Sequence, residues 1–272
     1  MDQLTTGKKV NKPSDDPVTV MKGMNYRSEV SRIEQYQRNT GEVHNWMDNT
    51  DAALDQATQA LQKLRELAVQ ASNDTYSEEE RQSVAKEAEQ IKQDLIDIAN
   101  TKVNGKYIFN GTNTSEAPIQ KGEGDEYTVN FNTNFVEIEV AAGTELEANV
   151  NPEDVFGDDE SNMFKDIQSF IKTLNGDVQE EIDLDQYIED FDQRIDDVIN
   201  ARAELGARMN RLDLIEDRLG DQEIVATKIM SDNEDVDYAK AITELITQES
   251  IHRAALAAGS RIIQPSLVDF LR

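Results

Sequence analysis

The sequence predicts a mainly α-helical chain with a small β-rich insertion, built as a long antiparallel helical rod carrying a β tip domain. Three observations predict it. Apolar residues recur at alternating spacings of four and three over two long stretches, as they do in helices packed side by side. No proline falls between Val18 and Asn73 in a chain that holds five. Strand-like alternation is confined to about residues 106–157, between the helical halves.

The first long helix starts at Asp16-Pro17. A carboxylate stands at the cap, and a proline follows at the first helical position, where no amide donor is needed. Only Gly23 and Gly41 interrupt the stretch from Pro17 to about Ser72. Its seam reads Val43, Met47, Thr50, Leu54, Ala57, Leu61, Leu64, Ala68, Ala71. Asn73-Asp74-Thr75 breaks it. Ser77 with Glu80 then forms a capping box for a second helix, with the seam Val84, Ala88, Ile91, Leu95, Ile98 and an end near Asn104-Gly105.

Tyr107-Ile108-Phe109 reads as a short strand closed by Asn110-Gly111. Tyr127, Val129 and Phe131, then Val136, Ile138 and Val140, alternate with polar residues, and Asn132-Thr133-Asn134 is expected to turn the hairpin. Helix resumes near Ser161 with Phe164, Ile167, Phe170, Ile171 and Leu174, stopping at Asn175-Gly176. A second long helix from about Leu184 carries the seam Ile188, Phe191, Ile195, Val198, Arg202, Leu205, Met209, Leu212, Glu216, Leu219. Its two charged positions, Arg202 and Glu216, are expected to fix register. Asp232 to Asp237 punctuates this helix. An alanine-rich helix follows from Tyr238 to about Ile263, ended by Gln264-Pro265.

Four segments follow: 1–16 as a connector; 17–105 with 160–233 as a discontinuous helical rod; 106–159 as an acidic β-rich tip; and 234–272 as a C-terminal helical assembly segment. Met1 runs straight into Gln3-Leu4-Thr5-Thr6-Gly7, which reads as the end of a helix. A preceding segment is therefore expected to be missing.

Charge excludes several functions. With 55 acidic and 27 basic residues the formal net charge is −28, which repels phosphate backbones and argues against a nucleic-acid partner. Residues 122–190 alone carry 20 Asp or Glu and two Lys. Cysteine is absent, which removes disulfides, thiolate metal sites and cysteine nucleophiles. No signal-peptide pattern opens the chain, and no apolar run is long enough for membrane insertion.

No catalytic, cofactor or metal constellation emerges. His44 and His252 lie on opposite arms without a spaced carboxylate pair, and read as helix-surface or seam residues. Gly122-Glu123-Gly124-Asp125 lacks the Lys-Ser/Thr of a phosphate loop and reads as a turn. Asp158-Asp159-Glu160 and Glu180-Glu181 lack the spacing of a calcium loop and read as solvated acidic faces.

Leu4-Thr5-Thr6-Gly7-Lys8-Lys9-Val10-Asn11 followed by Asp15-Asp16-Pro17 resembles the N-terminal signature of bacterial flagellins. Leu61-Gln62-Lys63-Leu64-Arg65-Glu66-Leu67-Ala68-Val69-Gln70-Ala71 is similar to the family's first-helix motif. Arg202 to Leu212 and Asp235 to Ala241 resemble its C-terminal motifs, in the same order. Tyr107-Ile108-Phe109-Asn110-Gly111-Thr112 and the ending Pro265 to Arg272 look like the branch of the family that joins hook to filament. Val155-Phe156 looks like that branch too, whereas Pro152-Glu153-Asp154 departs from its usual glycine.

The resemblance implies a structural subunit rather than an enzyme, exported through the flagellum's own channel without a cleaved signal peptide. It implies copies of itself in the axial structure as partners, with the first hook-associated protein on the hook side and flagellin on the filament side. It further implies an export chaperone on the C-terminal segment. Candidate assembly contacts are Asp15, Asp16, Arg65, Glu66, Asp237, Tyr238 and the apolar tail Leu267, Phe270 and Leu271. Asp237-Tyr238 is expected to mark the joint between outer rod and inner tube. A filament subunit, and a coiled-coil sensor or adhesin stalk that heptads alone could build, remain open alternatives.

Overall fold

Asp16 opens the first long helix. Its Oδ1 accepts from the backbone amides of Val18 (3.0 Å) and Thr19 (3.2 Å), and its Oδ2 from the Thr19 hydroxyl (2.6 Å). The computed structural model describes residues 2–73, 77–122, 127–158, 161–176 and 184–262. A short helix α1 (Asp2–Thr6) precedes α2 (Pro17–Ala71). All nine predicted seam residues of α2, from Val43 to Ala71, are fully buried. Helix α3 (Glu78–Ala99) begins with the predicted capping box: the Ser77 hydroxyl accepts from Glu80 N while the Glu80 carboxylate accepts from Ser77 N.

Helix α3 ends at Asn100, earlier than the sequence reading placed it. Asn104 and Gly105 are instead the turn of a hairpin between β1 (Lys102–Val103) and β2 (Lys106–Tyr107). Both have positive φ, 52° and 80°, the pairing that a tight two-residue hairpin turn requires. Strand β2 stops at Tyr107, and Ile108 and Phe109 turn into the core.

The expected hairpin about Asn132-Thr133-Asn134 is not formed. Strand β3 (Ile119–Lys121) pairs antiparallel with β4 (Tyr127–Val129), and β5 (Glu137–Ala141) with β6 (Thr144–Glu147). Asparagine side chains hold the backbone between β4 and β5. Asn132 N donates to Asn110 Oδ1 (3.0 Å), Asn134 N to Asn132 Oδ1 (3.0 Å), and Val136 N to Asn149 Oδ1 (2.7 Å). Such local bonds compete with a strand ladder, and here they win.

Two capped helices follow. Asn151 and Pro152 start α4 (Pro152–Phe156), and Asn162 starts α5 (Met163–Asn175), which ends on left-handed Gly176. The motif departure at Pro152-Glu153-Asp154 is thus the first turn of a helix. Phe109, Phe156 and Phe164 pack ring to ring, with Phe131 stacked on Phe156, and this cluster anchors the β segment. Lys92 of α3 is almost fully buried. Its Nζ donates to Gln168 of α5 (2.6 Å), pairs with Glu89 (2.7 Å) and lies over the Tyr127 ring.

The chain ends in α6 (Leu184–Glu234) and α7 (Tyr238–Ile262). In α6, Phe191, Ile195, Val198, Leu205, Leu212 and Leu219 are buried as predicted. Three seam assignments need correction. Glu216 faces solvent and Ile215 takes its place, Tyr187 is buried beside a half-buried Ile188, and Met209 is only half-buried. Arg202 behaves as predicted: its guanidinium reaches Asp51 (3.0 Å) and Asp55 (2.7 Å) on α2.

The residues divide into two compact units. Unit 1 holds residues 1–35 and 220–272, and unit 2 holds 36–219. Within unit 2, the pairs His44–Asp213, Arg202–Asp51 and Arg65–Asp192 ascend α2 as they descend α6, so these helices run antiparallel. Replacing Leu61 by Ala deletes a fully buried side chain from this seam. Urea unfolding is expected to show a loss of about 2–5 kcal/mol.

Candidate assembly site

Unit 1 is organised around one carboxylate. The segment after α1 crosses the end of α6 in strand-like fashion: Lys9 N donates to Glu234 O (2.7 Å) and Val236 N to Gly7 O (2.9 Å). That crossing brings Lys8 to Glu234 (3.3 Å) and Asp235 (2.7 Å), while Arg27 of α2 reaches Glu234 from the other side (2.5 Å). Asn233 Nδ2 also donates to the Thr19 carbonyl (3.1 Å).

Glu234 is nearly buried. Burial by itself pushes its carboxyl upward, but the hydrogen bonds from Arg27 and Lys8 outweigh it and hold the group below its ordinary range. Asp235 is held down chiefly by Lys8, then by the Ser231 hydroxyl, and Lys8 is raised in return by Asp235. Two glycines make room for the joint. A Cβ on Gly23 would collide with the Glu234 carboxylate. Gly7 adopts φ +71°, and a Cβ there would lie 2.9 Å from the Tyr238 hydroxyl.

Unit 1 also carries most of the exposed apolar side chains. Eleven of the fifteen large exposed hydrophobic side chains among the described residues lie in unit 1. They include Val18, Met21 and Met24 on α2, Ile224, Val225 and Ile229 on α6, and Ile242, Ile246, Ile251 and Leu256 on α7. Ala241 is the one buried hydrophobic residue of α7 among those described. Exposed apolar side chains in this number are a feature of surfaces that another surface covers.

The predicted contacts fall in several places. Asp15 is exposed and holds a turn by accepting from Lys12 N (3.1 Å). Asp16 is the α2 cap, and the Thr19 hydroxyl and amide hold its carboxyl below the usual range. Arg65 pairs within the chain with Asp192, and exposed Glu66 with Lys63 (3.4 Å). Asp237 caps α7 by accepting from Lys240 N (3.2 Å), and Tyr238 is exposed beside Gly7. Leu267, Phe270 and Leu271 lie outside the described residues. So Asp237 and Tyr238 adjoin the ionic joint, and Arg65 and Glu66 sit apart in unit 2.

Sequence reasoning passed over Glu234 and Arg27. The signal that could have found them is Gly23, a glycine inside a long helix where alanine would be favoured by about 1 kcal/mol. Sequence reasoning also left His44 isolated, whereas packing gathers it with Asp213 and Glu216.

A mainly helical chain whose unpartnered apolar surface is gathered in one unit is built as an assembly subunit. Residues 1–114 match the bacterial flagellin N-terminal helical region, and residues 188–271 match the C-terminal helical region. The chain belongs to the bacterial flagellin family. Flagellar hook-associated protein 3 of Escherichia coli (strain K12) is 28% identical, covering 94% of this chain and 87% of that protein. The flagellin of Bacillus subtilis (strain 168) is 26% identical over 94% of this chain and 86% of its own. Among solved structures, a putative flagellar hook-associated protein from Vibrio parahaemolyticus superposes with a TM-score of 0.74 at 24% identity. It covers 81% of this chain and 100% of its own, and shares the fold.

The joint carries a pH dependence of known sign. Glu234 and Asp235 are depressed, so their contribution is present above the ordinary values of 4.5 and 3.8 and is lost as pH falls through the lowered ones. Lys8 is raised above 10.5, so its contribution is complete below that value and is lost as pH climbs through the raised one. Amide protection at residues 234–241, taken relative to the intrinsic exchange rate at each pH, is expected to hold from about pH 5 to 10 and to fall below about pH 4. Glu234→Gln should reduce the acid step, the double variant Glu234→Gln with Asp235→Asn should remove it, and each should cost about 1–3 kcal/mol, the value of a charge-assisted hydrogen-bond pair. An acid step that survives undiminished in the double variant would place its origin elsewhere.

Proposed function

We propose that the chain is a structural subunit of the bacterial flagellum that joins the hook to the filament and works by self-assembly rather than catalysis. The observation that carries this reading is the apolar surface of unit 1 in a member of the flagellin family. The hook-associated relatives, 28% identical over 86–87% of their own length, favour the junction over other members of the family.

In this reading unit 1 is the part that neighbouring copies cover. It holds eleven of the fifteen large exposed hydrophobic side chains among the described residues, and α7 has little of its own chain to pack on. The ionic joint sets the direction in which α7 leaves α6. Asp237 and Tyr238, at the start of α7, are proposed contacts between copies, as are Arg65 and Glu66 through whatever capacity their internal pairs leave free. The proposed neighbours are the first hook-associated protein below and flagellin above, with an export chaperone covering the C-terminal segment beforehand. The proposed location is outside the cell, after export through the flagellar channel without cleavage of a signal peptide.

A filament-subunit reading is kept alive by the flagellin of Bacillus subtilis, which matches as much of the chain at 26% identity. Deletion of the gene distinguishes the two. Electron microscopy is expected to show bare hooks, with the major filament protein leaking into the medium on a blot. Loss of the main filament antigen from both cells and medium would make this chain the filament subunit. Complementation with Ile242→Asp plus Ile246→Asp is expected to leave hooks bare. The purified variant should melt within about 2 °C of the parent, since surface changes usually cost under 0.5 kcal/mol.

A further inference from the structure

His44 and Asp48 are one turn apart on α2, and Asp213 and Glu216 are three apart on α6, so each pair shares a helix face. Antiparallel packing within unit 2 sets these faces together. One nitrogen or oxygen from each of His44, Asp213 and Glu216 lies within 4.8 Å of the others. The two imidazole nitrogens have different surroundings. Nε2 is 3.4 Å from an Asp48 oxygen, whereas Nδ1 faces Asp213 at 3.8 Å. Nδ1 is shielded from solvent and has no hydrogen-bond partner among the described residues.

We propose that His44 Nδ1, Asp213 and Glu216 form a binding site for a divalent first-row transition ion of the zinc type. The donor set fits such an ion. Imidazole nitrogen selects transition metals over magnesium and calcium, and two carboxylates complete a three-ligand site with room for water. Ligand bonds of about 2.0–2.2 Å place donors on one ion roughly 3–3.5 Å apart. The present separations therefore need to close by about an ångström, which torsions of half-exposed side chains supply. Asp48 plays the part that carboxylates take beside metal-bound histidines. Standing 3.4 Å from Nε2, it is placed to accept the Nε2 proton when an ion binds and so to fix the tautomer that presents Nδ1 as a lone pair.

Two observations point the same way. A shielded ring nitrogen with no partner costs stability unless something satisfies it. Three carboxylates, from Asp48, Asp213 and Glu216, also stand around one imidazole, a concentration of acceptors that suits a cation. The ion would tie α2 to α6 about one turn from the buried seam residues Val43, Met47 and Leu212. The mouth of the site is open: Asp48, Asp213 and Glu216 are exposed, so metal can enter from solvent.

The test uses the full chain, stripped of metal and titrated with zinc by calorimetry and thermal unfolding. One saturable site is expected, with a rise in melting temperature of about 5–10 °C at a hundredfold excess over Kd. His44→Gln and Asp213→Asn should abolish that site while melting near the parent in chelator. Asp48→Asn should weaken it about 10–100-fold. Cobalt should develop visible d–d bands in the parent that His44→Gln lacks. No saturable binding, or zinc binding equal in parent, His44→Gln and Asp213→Asn, overturns the proposal, the latter exposing general attraction to an acidic surface. Should His44→Gln fail to fold, ring-nitrogen chemical shifts of the parent decide. A zinc-induced shift at His44 Nδ1 with His252 unchanged supports the site, and an unmoved His44 overturns it.

Discussion

Burial of the α2 seam is the constraint on which unit 2 depends. Nine consecutive seam positions lose all contact with solvent. A buried leucine contributes about 1.5–3 kcal/mol, against 0–1 kcal/mol for an exposed ion pair. Apolar contact therefore holds α2 to α6, and charge does a different task. A slip of one heptad would keep apolar residues facing apolar residues. It would also part Arg202 from Asp51 and Asp55, and Arg65 from Asp192. The half-buried Arg202 would then lose two carboxylates that raise its basicity, first through hydrogen bonds with Asp51. Small energies of this kind cannot make a fold, yet they choose among registers that burial leaves nearly equal.

Unit 1 reverses those proportions. Its best-defined interactions are ionic and backbone bonds around Glu234, while its apolar side chains look outward. Helices of this size draw most of their stability from a packed face, and α7 has almost none in the single chain. The joint at residues 7–9 and 234–236 thus fixes where α7 starts. Beyond that start, Ala241 is the one buried hydrophobic residue of α7 among those described.

How much of this could be read from the sequence follows from the range of each interaction. The helix seams and the Ser77 capping box were legible because they depend on neighbours three and four residues away. The end of α3 was misread because Asn104-Gly105 marks both helix ends and hairpin turns, and only pairing of β1 with β2 decides between them. The 127–140 hairpin failed because Asn110 and Asn149, 22 and 13 residues from their partners Asn132 and Val136, satisfy the backbone that a ladder would have used. Glu216 was assigned to the seam by counting four from Leu212, but Leu212, Ile215 and Leu219 take the three-then-four spacing, an equally regular one that puts Ile215 inward. Arg27 with Glu234, and His44 with Asp213, needed the register of helices far apart in sequence, which no local pattern carries.

The charge of −28 and the apolar unit 1 surface are two halves of one requirement. A subunit that must travel singly and then polymerise needs long-range repulsion and short-range attraction. Between exposed charges, repulsion is screened beyond about 8 Å at physiological salt, so it discourages casual encounters without opposing a docked contact. Apolar attraction acts only when surfaces meet and water leaves. Concentrating acids at residues 122–190 while unit 1 holds most of the exposed apolar side chains lets both act without cancelling. In the proposed assembly, copies associate where apolar side chains meet, and the Lys8–Glu234–Arg27 cluster holds the start of α7 in place.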